Sequence, residues 1–99
     1  MTIIEKNEGP KIPYTIEETV INFDERLELD LQEYQTDCDE HITVFRKRNG
    51  QLTTGRGGIA YVAEIDVPPV EYSAPGEGQE QEPLPLDMQK ITLTLWALV

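Results

Sequence analysis

The segment Asp37–His41 is where the chain's potential chemistry is densest. It holds the only cysteine and the only histidine, Cys38 and His41, among three carboxylates. A zinc site needs three or four nitrogen, sulfur or oxygen donors that converge at tetrahedral angles. In an extended segment Asp37, Asp39 and His41 point to one side and Cys38 and Glu40 to the other, so at most three side chains converge. A solvated acidic turn is the simpler interpretation, and Asp37, Asp39 and His41 are kept as the candidates for an alternative metal- or ligand-binding module.

Other catalytic patterns are equally incomplete. A Cys38–His41 nucleophile pair needs a mutual hydrogen bond and a third group to orient the base, and a spacing of three residues is awkward for this in a strand. The 19 acids are too numerous for a catalytic carboxylate pair to be singled out. The stretch Gly55–Gly58 lacks the Lys-Ser/Thr end of a phosphate loop. We therefore expect no enzymatic activity and no cofactor, with a small carboxylate enzyme as a third hypothesis.

The layout of charge is more informative. The segment Glu17–Glu40 contains ten acids and one base, Arg26. Four of the eight basic residues cluster around a predicted hairpin tip further along the chain. One interpretation is an ordinary solvated surface, with the tip facing an acidic strand of the same molecule. The other is a bipolar surface that steers self-association or binding of a protein partner. The candidate interaction residues are Arg46, Lys47, Arg48, Arg56, Glu77, Glu80 and Glu82.

Composition restricts the classes of partner. The formal net charge is −11, which disfavours nucleic acid and anionic membranes as partners. The amino-terminal residues lack the basic start and long apolar run of a signal peptide, and the longest uncharged apolar run, Leu95–Val99, is too short to span a bilayer. A single cysteine excludes an internal disulfide. These features predict a cytoplasmic or other intracellular protein, although secretion without a cleaved signal stays open.

Three segments carry clear strand signals. Lys90–Val99 alternates with period two, and its second face is half apolar, so we predict an interior strand. Ile59–Val67 is a second core strand, with Ile59, Tyr61, Ala63, Ile65 and Val67 predicted to share one face. His41–Arg48 and Gln51–Thr54 form a hairpin around Asn49-Gly50, a pair that suits a type I′ turn.

The stretch between Tyr14 and Tyr34 fits two descriptions. Helical spacing gives an apolar stripe over residues 16–34, and Thr15 and Glu18 have the spacing of a capping box. The alternation of Leu27 to Leu31 and the poor helix formers of residues 19–22 favour strands instead. We predict two strands, at residues 15–23 and 27–34, bent near residues 24–25.

These elements predict an all-β fold, a small antiparallel sandwich or open barrel of about six strands; the alternative is an α+β fold with one helix at about 16–34. Residues 1–13 are expected to be a flexible tail, and residues 14–99 a single domain with a long Pro/Gly/Glu loop at 73–86. By association with similar small acidic β domains, we expect a protein–protein interaction or assembly module, such as a subunit of a virion- or prophage-type structure.

Overall fold

Eight short strands dominate the computed structural model, which describes residues 1–73 and 82–98. The strands are β1 (Thr2–Glu5), β2 (Tyr14–Glu17), β3 (Val20–Phe23), β4 (Leu27–Asp30), β5 (Glu40–Lys47), β6 (Leu52–Thr53), β7 (Gly58–Val67) and β8 (Thr92–Leu95). A one-turn helix, α1 (Leu31–Tyr34), follows β4, and a single 3-10 turn, Met88–Lys90, precedes β8. No helix in this part of the chain has the length and apolar character to cross a membrane.

The strands form two sheets, which confirms the predicted all-β fold. The larger sheet has the order β1-β8-β7-β5-β6 and the smaller one the order β2-β3-β4. β8 lies between β1 and β7, so the final strand is interior as predicted, although it is shorter than the predicted Lys90–Val99. All pairings are antiparallel except β1 with β8, which is parallel. The larger sheet is therefore mixed, and the strand count exceeds the predicted six.

Apolar side chains from both sheets and from α1 meet in one buried cluster. Burial of such side chains is the main stabilising contribution to folding, at roughly 25 cal/mol per Å² of apolar surface. The molecule is elongated, with extents of 56 × 25 × 21 Å. The cluster consists of Ile12, Ile21, Phe23, Leu29, Leu31, Ile42, Val44, Val62, Ala63, Ile65, Val67, Leu86, Ile91, Leu93 and Leu95.

The segment between Tyr14 and Tyr34 is mostly extended, but its predicted boundaries were wrong. The chain turns at Glu18 and Thr19, so one predicted strand is in fact the hairpin β2-β3. Glu18 adopts a left-handed φ of 55° without the glycine or asparagine that usually marks such a turn. The second predicted strand ends at Asp30, whose carboxylate accepts a hydrogen bond from the Gln32 amide and caps α1.

The bend predicted near residues 24–25 is confirmed. Asp24 and Glu25 have left-handed φ values of 52° and 57°, and the Arg26 amide donates to the Phe23 carbonyl at 2.9 Å. This turn connects β3 to β4 with Phe23 paired to Leu27.

The hairpin between β5 and β6 turns where expected but by a different turn type. The Gly50 amide donates to the Lys47 carbonyl at 3.0 Å, and the Lys47 amide donates to the Gln51 carbonyl at 2.7 Å. Gly50 has a φ of 89°, whereas Asn49 is not left-handed. This is a type I turn followed by a left-handed glycine, so the type I′ prediction was wrong: only one of the two residues has positive φ.

The predicted faces of β7 were wrong in its first half. Pairing passes from Val44–Ala63 to Phe45–Tyr61, which leaves Val62 as an extra residue on β7. A bulge of this kind resets the alternation of side chains along a strand. Val62 and Ala63 are consequently both buried, and Tyr61 lies on the exposed face of the sheet.

The two segments predicted to lack regular structure are partly ordered. β1 belongs to the predicted tail at residues 1–13, and it pairs with β8 from Thr2–Thr92 to Glu5–Leu95. At the base of the predicted loop at 73–86, Tyr72 and Pro83 form an antiparallel bridge. Residues 74–81, the centre of that loop, lie outside the described residues.

Candidate interaction surfaces

The outer face of the larger sheet collects the polar and aromatic side chains of β5 and β7. Directly opposed residues of antiparallel strands point to the same face, and the register pairs His41 with Asp66 and Phe45 with Tyr61. The side chains on the opposite face of these two strands, among them Ile42 and Ile65, are buried in the core. The outer face is thus polar where β5 begins and aromatic where β5 ends.

His41 lies between two carboxylates at the polar end of this face. Its Nδ1 is 2.6 Å from the Asp66 Oδ1, and its Nε2 is 3.2 Å from the Glu64 Oε2. Because a carboxylate is only an acceptor, both ring nitrogens are placed to donate. The hydrogen bond with Asp66 is the main cause that raises the pKa of His41; burial opposes it, and the negative charges of Asp66 and Glu64 add to the rise.

The candidate metal ligands are not brought together. The Asp37 carboxylate accepts a hydrogen bond from the Tyr72 hydroxyl at 2.9 Å, which raises the pKa of Tyr72. His41 is engaged with Asp66 on β7. Within residues 1–73 and 82–98, no group of three or more His, Cys, Asp or Glu side chains could hold a metal ion. Asp37 and Asp39 lie in the exposed turn that leads into β5.

The predicted basic residues lie at the opposite end of β5. Arg46 and Lys47 are its last residues and are partly exposed, while Arg48 and Arg56 are exposed in the turns beyond it. In the described part of the chain none of the four forms an ion pair with a carboxylate; the pairs found there involve Arg26, His41 and Lys90. No ion pair among the described residues therefore links these four side chains to the acidic turn at Asp24 and Glu25, although Arg26 of that turn contacts the tip.

Arg26 joins this basic end, although it was not among the predicted interaction residues. Its guanidinium donates to the Gly50 carbonyl at 3.1 Å and contacts the Asp24 carboxylate at 3.3 Å. Arg26 and residues 49–52 line an open groove of about 460 Å³. The turn between β3 and β4 is therefore held against the hairpin tip.

Acidic side chains concentrate near the start of β5. Asp37, Asp39 and Glu40 lie at or just before its first residue. Glu71 lies beyond the end of β7, and its carboxylate accepts a hydrogen bond from the Lys90 ammonium. This hydrogen bond raises the pKa of Lys90. Glu82, from the candidate interaction set, is exposed beside the Tyr72–Pro83 bridge. Glu77 and Glu80 lie outside the described residues.

Three aromatic rings form a row on the outer face that the sequence did not reveal. The ring centroids of Phe45 and Tyr61 are 5.3 Å apart with planes at 35°, and those of Tyr61 and Trp96 are 5.3 Å apart with planes at 27°. Both separations are in the range favoured for aromatic pairs. The alternation of β7 placed Tyr61 inside because the bulge at Val62 has no sequence signal of its own.

Gly58 makes room for one end of the row. A Cβ atom on this residue would lie 2.2 Å from the Phe45 Cβ and 2.5 Å from its Cγ. Phe45 therefore packs over the glycine backbone of the paired strand. Tyr61 is 54% exposed and Ile59, next to the row, is 57% exposed, so this end of the face presents apolar surface to solvent.

Comparisons of the chain with protein-family models, with curated proteins and with solved structures find no match. Only the arrangement of its side chains therefore indicates what the chain does.

Proposed function

We propose that this chain is a non-enzymatic assembly module that associates with copies of itself, the basic end of one molecule meeting the acidic end of the next. The observation that supports the proposal is the separation of charge along β5. Four cationic side chains without ion-pair partners among the described residues lie at one end, and acidic side chains gather at the other.

The distance between the two ends favours contact between molecules over contact within one. Glu40 and Lys47 are separated by seven residue rises, or about 23 Å along the strand. The Debye length at physiological ionic strength is about 8 Å, so each end acts largely independently of the other. The same short screening length suppresses the overall repulsion between two chains that each carry −11.

A contact of this kind uses two different patches, so a pair of molecules still has one free patch at each end. Such heterologous contacts generate closed rings or open filaments. An assembly role of the predicted type, such as a subunit of a virion- or prophage-type structure, is compatible with this geometry. The free, exposed thiol of Cys38 supports the proposal of an intracellular, reducing setting.

Sedimentation velocity tests the proposal directly. We expect the chain to associate as its concentration rises at about 0.15 M salt, and to dissociate at about 1 M salt, where the Debye length is about 3 Å. Arg56→Glu should weaken association by at least about fivefold in Kd, the equivalent of about 1 kcal/mol for a single exposed charge contact. Lys6→Glu is the matched control, because it makes the same change in net charge at an exposed residue outside the tip.

A monomer at every concentration and ionic strength would contradict the proposal. Equal weakening by Arg56→Glu and Lys6→Glu would show that net charge, and not the position of the basic end, controls association.

A further inference from the structure

The aromatic row presents apolar surface to solvent at its centre, where Tyr61 is 54% exposed, while Phe45 and Trp96 on either side are partly buried. Phe45, Tyr61 and Trp96 come from three adjacent positions across the sheet, and the Trp96 amide is fixed by a 3.1 Å hydrogen bond to the Val62 carbonyl. A row of large rings held on a sheet loses little conformational entropy when a ligand binds to it. This rigidity distinguishes the row from scattered exposed apolar residues.

We propose that the aromatic row is the binding site for the proline-containing segment Glu82–Pro85 of a second copy of this chain. The proposal rests on the head-to-tail assembly above and names the two surfaces that meet in it. Proline-rich segments characteristically dock on aromatic-lined surfaces, since their backbone is already extended and little order has to be imposed on binding.

The proposed ligand segment is exposed and already held in shape. Glu82, Pro83, Leu84 and Pro85 are all exposed, and Leu84 presents 41% of its surface to solvent. The Ser73 amide donates to the Glu82 carbonyl at 2.9 Å, and the Leu84 amide donates to the Glu71 carbonyl at 2.7 Å. These bonds fix the segment before it meets a partner, which lowers the entropic cost of association.

Charge complementarity favours this occupant. Lys47 follows Phe45 by two residues, so the two side chains emerge on the same face of β5. Its ammonium has no ion-pair partner among the residues that the structure describes. The Glu82 carboxylate lies next to the first proline of the proposed ligand segment. A docked segment can therefore place an acid beside the lysine while its prolines and Leu84 cover the rings.

The segment cannot reach the aromatic row of its own molecule. Tyr61 and Val67 are six residue rises apart, or about 20 Å along β7. Glu82 to Leu84 pair with residues 71–73, which follow the end of β7 away from Tyr61. The row and the proposed ligand segment therefore lie towards opposite ends of the strand, as a head-to-tail contact requires.

A mixing experiment with two variants tests the proposal. Tyr61→Ala removes the centre of the aromatic row and leaves the segment intact, whereas Leu84→Ser alters the segment and leaves the row intact. Both residues are exposed, and far-UV circular dichroism and thermal melting establish that each variant is folded. We expect each variant alone to associate at least about tenfold more weakly than the wild type. A 1:1 mixture should form dimers that do not grow, because only one productive contact remains.

Trp96 is the chain's only tryptophan, so its fluorescence reports on the row itself. Its emission should change as the wild type associates and as the two variants are mixed, and should stay constant when Leu84→Ser is concentrated alone. Ile16→Ala is the control, because Ile16 is also 41% exposed but lies on the smaller sheet. It should associate like the wild type.

The outcomes separate this inference from the proposed function. If the wild type associates and both variants associate equally well, the row is not the contact, while charge-driven assembly survives. If the mixture fails to form dimers although each variant is folded and impaired, the pairing of these two surfaces is wrong. If the wild type is monomeric and a 15-mer of deoxythymidylate changes the Trp96 emission, the row binds single-stranded nucleic acid and both proposals fail.

Discussion

Replacing Gly58 by alanine introduces one methyl group at the point where β7 passes beneath Phe45. The φ of Gly58 is not in the left-handed region, so alanine adopts this backbone without strain. The added Cβ would lie 2.2 Å from the Phe45 Cβ, 2.5 Å from its Cγ and 3.0 Å from its Cδ1. The effect of the substitution on the folded state is therefore steric.

The geometry sets the size of the effect. Carbon atoms in contact prefer a separation of about 3.5–4.0 Å, so Phe45 or the end of β7 must move by more than about 1 Å. Overpacking of this kind costs about 1–3 kcal/mol. The reduced freedom of the unfolded chain offsets about 0.4–1 kcal/mol of that cost. We expect Gly58→Ala to lower the free energy of unfolding by about 1–2 kcal/mol, and the melting temperature by about 4–8 °C per kcal/mol.

Gly55→Ala is a matched control three residues away. Its Cβ would meet nothing closer than the Thr53 Oγ1 at 3.7 Å, and its φ is also outside the left-handed region. It should leave the stability unchanged or raise it by up to about 1 kcal/mol. Urea denaturation of both variants, followed by circular dichroism and by Trp96 fluorescence, measures the difference.

A double-mutant cycle completes the test. Phe45→Ala removes the ring, so Gly58→Ala should cost much less in that background than in the wild type. If Gly58→Ala and Gly55→Ala are equally stable, or if the cost of Gly58→Ala is unchanged without the ring, Phe45 does not pack over Gly58 and the aromatic row is misplaced.

Two further predictions concern the core and the histidine. Leu93 is buried in the interior strand β8, so Leu93→Ala should lower the free energy of unfolding, measured by urea denaturation, by about 2–5 kcal/mol. Ile3→Ala, on the exposed edge strand β1, should cost much less. Similar losses of stability in the two variants would place the core elsewhere. Because the pKa of His41 is raised in the folded state, its contribution to stability should be fully present below pH 6.5 and be lost as the pH rises through the raised value. The His41 side chain is about half exposed, so its contribution to the free energy of unfolding should stay below about 1 kcal/mol, and Asp66→Asn should reduce it. If the stability of the wild type rises over this pH range and that of His41→Gln does not, the ion pair of His41 is not stabilising.

Local patterns in the sequence predicted much of the fold. The period-two alternation of the final residues identified β8 as an interior strand, because one face of Lys90–Val99 is apolar and the other is half apolar. The Asn49-Gly50 pair located the hairpin tip, since glycine readily adopts the left-handed backbone found at Gly50. The separation of acids from bases along the chain was visible without any structure, because β5 is a single strand whose two ends follow the order of the sequence.

The candidate sites depended more on tertiary structure. The turn at Glu18 carries no turn residue, and it forms where the Thr19 hydroxyl donates to the Asp30 carboxylate at 2.8 Å, eleven residues away. β1 is a strand because β8 offers it a free edge, which residues 1–13 cannot show by themselves. His41 was singled out for its neighbours in sequence, yet its actual partners, Glu64 and Asp66, are on another strand.

The sequence alone determined that most of the chain is extended, where it is acidic or basic, and that its last strand is interior. These properties depend on residues that are close together in the chain. The tertiary structure alone decided which side chains share the outer face, because the bulge at Val62 exists only in the pairing of β7 with β5. One extra residue on β7 turns Tyr61 outward, where it contacts Phe45 and Trp96. The alternation of residues along β7 alone cannot show this, because the bulge is defined by the pairing of two strands.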